Sequence, residues 1–356
     1  MNRETEFELP ADHRPHTDKY FMRTAEILKG EGINPFVRYQ AFIRQGPGVT
    51  AGIDESIAAI MKYSPKLAEH GGRIYALHDG VDYQSTETLM FIDGPVQDLV
   101  ETETMYLSIL SDRTGKANGV PNPDLDKIRN TAKEITTILE KSKFGPRPCS
   151  YFGARHFGYE WDAKISRAAY EGGFVSASTD VGAGTYGQKG GGTVPHAAVV
   201  SMAIARGVEN SAVATMRAFN RHIPKDVPRI FLADTFNKEI QDTLKVADAL
   251  DNFWGPRFDT NGGSIAEGAE PTGENQWRGE YWSGKGVTIS GVRRAREALN
   301  RVDRGKHRDL KIALTSGFSN PKKVAAFVEA EEKYNYKLFD FIGAGFADNR
   351  HLQHLI

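Results

Sequence analysis

The 356-residue chain has one cysteine, Cys149, which excludes an internal disulfide and any zinc site built on clustered thiolates. It has almost no net charge, since 45 Lys and Arg against 46 Asp and Glu leave −1. That balance argues against a general nucleic-acid or membrane-surface binder, which carries a basic excess. A local site for a small anion remains compatible with it. No apolar run approaches the roughly 18 residues of a membrane helix, and the charged start MNRETEFELP does not read as a signal peptide. No G-x-G-x-x-G lies between a strand and a helix, so Gly190-Gly191-Gly192 reads as a mobile loop rather than a dinucleotide fingerprint. What is present, 40% apolar and 26% charged residues, suits an enzyme that buries an ordinary core. At roughly 150 residues per domain the expectation is two domains in a cytoplasmic protein.

Two textures divide the chain. Residues 1–115 read as a mixed α/β domain. A helix should start at Thr17-Asp18, whose short polar side chains can accept from first-turn amides. A strand over 35–44 should stop at Gly46-Pro47-Gly48, and another over 88–92 at Asp93-Gly94-Pro95. Leu99, Val100, Glu103, Tyr106, Leu107 and Leu110 fall near helical spacing, predicting one amphipathic helix over 96–111. The polar stretch 112–124 marks the boundary. Residues 116–356 then repeat a regular rhythm, with short apolar runs at 149–152, 173–177, 194–200, 229–233, 253–258, 311–314 and 339–342. Several are separated by helical stretches (163–170, 238–250, 292–302, 322–332). Such alternation implies parallel strands with crossover helices, and about seven units suit an irregular TIM-like α/β barrel. The glycine-rich region 261–285 reads as a long active-site loop.

Polar residues gather where the apolar runs end. The first run leads into Phe152-Gly153-Ala154-Arg155-His156 and the second into Ser178-Thr179-Asp180, while the third contains Pro195-His196. The fourth ends at Asp234-Thr235 and the fifth carries Arg257-Phe258-Asp259. The last two end in Thr315-Ser316-Gly317 and Gly343-Ala344-Gly345. Barrel active sites form at the carboxyl ends of strands, with phosphate often held by the loops after the last two. Glycine there lets a backbone amide approach phosphate, and the next helix start adds positive potential. The pattern predicts a barrel enzyme acting on a phosphorylated substrate. Plainer readings stand beside each residue. Gly317 and Gly343 suit strand-to-helix turns, and His196 suits a satisfied, partly buried histidine. Arg257 and Asp259, two apart on a strand and so on one side, suit a structural ion pair, and Phe152 suits the core. His13, His16, His351 and His354 lie in polar terminal segments and read as solvated; no protein metal site is expected.

The stretch FGARHFGYEWDAKISRAAYEGGFVSASTDVGAGTYGQKGGGTVPHAAVV resembles the nicotinate phosphoribosyltransferase family, in its F-G-x-R, R-A-A-Y-x-G-G-F and G-T-x-P-H patterns, the last as in an archaeal-like branch. TDKYFMRT, LVETETMYLSILS, FLADTFN, GPRFDT, LTSGFSNPKKV and FIGAGFAD extend the resemblance along nearly the whole chain. It implies displacement of pyrophosphate from phosphoribosyl pyrophosphate (PRPP) by a pyridine nitrogen, giving a mononucleotide on the route to NAD. It also implies a homodimer with shared sites. Phe152 would stack on one pyridine face and Tyr20 of the partner subunit on the other. Arg155 would meet carboxyl or phosphate groups, and Arg257 the pyridine substituent or ribose. Asp234 and Asp259 would orient ribose hydroxyls and the metal-bound substrate, with Ser178 and Asp180 beside the base. Ser316, Gly317, Gly343 and Gly345 would cradle phosphate. His196 matches a histidine that ATP phosphorylates in many members, and Mg²⁺ would arrive on PRPP.

Three departures matter: His156 replaces a second arginine, the branch's cysteine cluster is missing, and Asp180 stands where nicotinate enzymes tend to be neutral. An ionised Asp180 facing the base would repel nicotinate and favour nicotinamide; the alternative is a helix-capping or outward-pointing Asp180. Nicotinate leads and nicotinamide follows. A quinolinate enzyme, for which only Arg155, His156 and Lys189 offer extra positive groups, and a catalytically silent nucleotide binder come after. Family members usually continue past 339–342 into a segment packing on the first domain, so a chain ending at Ile356 implies a compact or shortened form.

Overall fold

A computed structural model describes residues 7–271, 279–302 and 309–346. Its first part contains a 3-10 turn (Arg14–His16), α1 (Lys19–Glu31), β1 (Phe36–Phe42), β2 (Gly48–Val49), α2 (Ile53–Tyr63), β3 (Arg73–Ala76), β4 (Asp82–Tyr83), β5 (Thr88–Pro95), α3 (Val96–Leu99) and α4 (Glu103–Ala117). An antiparallel sheet β1-β5-β3 has β5 at its centre, and β2 pairs with β4.

Several local expectations need correction. α1 starts where Thr17-Asp18 announced it, but the Asp18 side chain does not cap it and is used elsewhere. β5 runs through Asp93-Gly94-Pro95 because β1 continues opposite, pairing Arg38 with Asp93 and Phe36 with Pro95. Two Arg38–Asp93 hydrogen bonds of 2.6 and 2.7 Å support that extension, and proline takes the last position, where a missing N–H does little harm. The single helix over 96–111 is two helices, broken where the Thr102 hydroxyl donates back to Leu99 O at 2.8 Å. α4 then continues to Ala117, so 112–117 is helical. His13 is buried rather than solvated, its ring tilted against Tyr63 with centroids 4.6 Å apart. His16 meets Tyr159 edge-on; His351 and His354, like the rest of 347–356, lie outside the described residues.

The second part contains α5 (Leu125–Glu140), β6 (Cys149–Tyr151), α6 (Asp162–Glu171), β7 (Ser176–Ala177), α7 (Asp180–Gly184), α8 (His196–Arg206), α9 (Val208–His222), β8 (Arg229–Leu232), α10 (Glu239–Ala249), β9 (Phe253–Phe258), α11 (Ile289–Val302), β10 (Ala313–Leu314), α12 (Pro321–Tyr334) and β11 (Phe341–Ala344). Six strands form one parallel sheet in the order β7-β6-β11-β10-β9-β8. The mixed α/β architecture and curved half-barrel agree with the expected class.

Six of the seven apolar runs supply these strands, and 194–200 does not. Pro195 has no N–H for a ladder, and the alanines at 197, 198, 203 and 205 favour helix, so this run opens α8 instead. The segment before it spans the two sheet edges. Gly191 N–H donates to Ala177 O at the end of β7 at 2.7 Å, and His196 reaches Thr235 after β8. A bridging loop thus takes the place of a strand. Apolar side chains such as Phe231, Phe258, Ile312, Leu314 and Ile342 are buried along the sheet, each worth about 1.5–3 kcal/mol. α1 leaves its own sheet to pack on α8 and α9, which carries its first turn to the strand ends. Among the described residues no helix is long and apolar enough to cross a membrane.

Candidate active site

Parallel strands expose their carboxyl ends on one side, and there the polar residues converge. Arg257, near the end of β9, is buried and places Nη1 3.5 Å from Asp259 Oδ2. Its Nη2 donates to Val194 O at 3.4 Å, tying the bridging loop to the sheet. From β8, Asp234 sets Oδ2 3.7 Å from His196 Nε2, and His196 Nδ1 lies 3.1 Å from the Thr235 hydroxyl. These contacts link the start of α8 with the ends of β8 and β9.

Electrostatics divide the roles within that group. The imidazole of His196 keeps 39% of its side-chain surface accessible, yet the surrounding protein pushes its pKa down to about 4. Burial is the main cause; Asp259 opposes it, while Arg257 and Arg155 add to it. His196 is therefore neutral at pH 7, the form that acts as a nucleophile. The Asp234 carboxyl is pushed up by burial and then by the charge of Asp259, against Arg257. Its Oδ1 is buried without a partner among the described residues.

Phe152 follows β6, where its N–H donates to Ala344 O at 2.8 Å. A Cβ on Gly343 would run into the Phe152 ring and approach Thr315 Cγ2 to 2.7 Å, and one on Gly345 would collide with the His156 ring. Glycine at 343 and 345 is thus required by these rings, a reason independent of any phosphate. After β10, Ser316 and Gly317 both adopt left-handed backbone, with φ of 63° and 83°. For Ser316 that conformation costs on the order of 1–3 kcal/mol. Lys323, in the first turn of α12, donates from Nζ to Ser316 O at 3.0 Å. Sequence reasoning missed Lys323, although it lies in the S-G-x-x-N-P-K-K stretch right after the turn.

Arg155 is held by two acids that the sequence reading did not select. Its Nε is 3.3 Å from Asp18 Oδ2 and its Nη1 3.3 Å from Glu103 Oε1. The rings of Tyr20 and Phe21 each lie 5.6 Å from the guanidinium. Burial pushes the Glu103 carboxyl up to about 7, with Arg155 opposing and Asp18 adding. Tyr20 thus meets Arg155 inside one chain. The signal for Asp18 and Glu103 was their place in TDKY and VETETMY.

Ser178 is buried; its carbonyl accepts from Lys19 N–H at 2.8 Å, and its hydroxyl has no partner among the described residues. Asp180 opens α7, but Thr179 is the residue that caps, accepting from Gly182 N–H at 3.0 Å. The Asp180 oxygens are taken by Lys19 Nζ and by Gly190 N–H, the latter at 2.9 Å. Asp180 is thus paired with Lys19.

No family model and no curated protein matches the chain. Solved structures do. A putative nicotinate phosphoribosyltransferase from Saccharomyces cerevisiae matches with a TM-score of 0.63 and 15% identity, over 97% of this chain and 86% of that one. The nicotinate phosphoribosyltransferase of Porphyromonas gingivalis gives 0.62 and 14%, over 96% and 87%. That of Vibrio cholerae gives 0.59 and 12%, over 96% and 83%. The chain has the fold of the nicotinate phosphoribosyltransferases. At these identities the likeness concerns architecture, and the chemistry has to be argued from the cleft.

Proposed function

We propose that this protein is a pyridine phosphoribosyltransferase whose first substrate is nicotinate. The pyridine nitrogen would use its lone pair to form the C–N bond at ribose C1 of PRPP, while the C1–O bond to pyrophosphate breaks and pyrophosphate leaves with those electrons. No proton transfer to or from the ring is required. The observation that carries this reading is the meeting of His196, Asp234, Arg257 and Asp259 at the strand ends of a nicotinate phosphoribosyltransferase fold. Phe152 would offer its ring to the flat base, Arg257 its donors to the base substituent or ribose, and Asp259 with Asp234 acceptors to ribose hydroxyls. Mg²⁺ would enter as part of the PRPP substrate and neutralise the pyrophosphate, and the hard carboxylate oxygens of Asp234 and Asp259 suit it. Pyrophosphate release measured with nicotinate, nicotinamide and quinolinate tests the reading. Turnover of none of the three would overturn it.

Nicotinate leads because Asp180 is already matched by Lys19. Asp180→Asn should therefore change the ratio of nicotinate to nicotinamide kcat/KM by less than about threefold, within the ±0.5 kcal/mol typical of peripheral changes. A shift of tenfold or more toward nicotinate would restore Asp180 as the specificity residue.

We further infer that ATP phosphorylates His196 to couple transfer to hydrolysis. A neutral, accessible imidazole beside carboxylates supports this. Mass spectrometry after incubation with ATP and Mg²⁺ should find phosphate on His196 down to about pH 5.5, because the ring stays neutral above about 4. An unmodified His196 during turnover counts against coupling.

A further inference from the structure

The two arginines expected to meet phosphate or carboxylate are each matched by acids of the protein. Arg155 faces Asp18 and Glu103, and Arg257 faces Asp259. Lys323 is different. It is only 9% exposed, its Nζ donates to the uncharged carbonyl of Ser316, and it lies over the Phe318 ring at 4.6 Å. Among the described residues it forms no ion pair; the charge facing it is Asp259 at the end of β9. A buried ammonium with one neutral acceptor carries a desolvation cost that an anion would offset. Burial accordingly lowers its pKa to about 8. The turn keeps Nζ within reach, since even a Cβ at Gly317 would come to 3.3 Å of it.

We propose that Lys323 is the cation of the phosphoryl subsite in this cleft, binding the phosphate of a sugar phosphate together with the Ser316-Gly317 turn. The identity of that ligand as a ribosyl phosphate rests on the function proposed above. The charge placement does not. One lysine at the first turn of α12 would account for anion binding that two neutralised arginines cannot supply, because a phosphoryl group needs net positive charge as well as donors.

Calorimetric titration with ribose 5-phosphate tests this without any turnover. Wild type should bind, Lys323→Gln should bind at least tenfold more weakly, and Lys323→Arg should stay within threefold of wild type. A glutamine amide can still donate to Ser316 O, so a purely structural lysine predicts unchanged binding by Lys323→Gln, which would overturn the proposal. Absence of ribose 5-phosphate binding by wild type would also overturn it. A second measurement needs only the wild-type protein: saturating ribose 5-phosphate should slow acetylation of Lys323 by acetic anhydride more than fivefold. An unchanged rate by mass spectrometry refutes the subsite. If binding depends on Lys323 while no pyridine is turned over, the phosphoribosyl-transfer reading fails and the subsite stands.

Discussion

Replacing Arg257 by alanine should lower kcat/KM for nicotinate by about a hundredfold or more while the protein stays folded. Removing a donor aimed at the reacting substrate costs about 2.7–4 kcal/mol, and each 1.36 kcal/mol is tenfold in rate, so the span runs from roughly a hundredfold to nearly a thousandfold. Two consequences follow from the charges around it. Arg257 opposes the upward shift of Asp234 and helps hold His196 down. Its removal should raise both pKa values, so His196 protonates more readily and the acid limb of the pH–rate profile moves to higher pH. Arg257→Lys keeps the charge but not the planar fork and should recover only part of the loss. Steady-state kinetics and an NMR titration of His196 read both effects. A change below threefold would place Arg257 outside substrate contact, as the structural ion pair with Asp259.

How much of this was legible in the sequence follows from which interactions are local. Strand ends at Asp234, Arg257, Asp259 and Ser316 could be read because an apolar run and the polar residue after it are neighbours in the chain. The same logic failed at 194–200, where Pro195 and its alanines could not be told from a buried strand by hydrophobicity alone. It failed again at Asp18, whose place before a helix suggested a cap. Its side chain turns instead toward Arg155, a partner 137 positions away (155 − 18) that no local pattern can announce. Glu103 is the same case: helical spacing put it on an amphipathic face, while its role depends on where α1 and the loop after β6 come together. Lys323 was hidden for the opposite reason. It sits in a lysine pair of ordinary appearance, and only its burial sets it apart from Lys322.

Substitution of Gly255 by alanine should be among the most damaging single changes in the chain, although this glycine touches no substrate. It sits in β9 with φ of 146°, a conformation that side chains rarely adopt. A Cβ there would lie 2.8 Å from the carbonyl carbon of Lys311 and closer still to its oxygen. That backbone cannot withdraw, because Lys311 N–H already donates to Trp254 O at 2.9 Å and leads directly into β10. Strain and collision together should exceed about 4 kcal/mol, lowering Tm by roughly 5 °C or more at about 1.3 °C per kcal/mol for a chain of this size. Gly262 provides the control: among the described residues nothing lies within 4 Å of its added Cβ, so Gly262→Ala should melt within about 2 °C of wild type. Equal melting of the two variants would show that β9 and β10 can part without cost. The expected result ties stability to chemistry, since the strand that must stay flush against Lys311 also carries Arg257 to the cleft and leads directly into Asp259, while the strand it presses leads into the Ser316-Gly317 turn and Lys323. Any G255A protein that remains soluble should therefore lose ribose 5-phosphate binding along with activity.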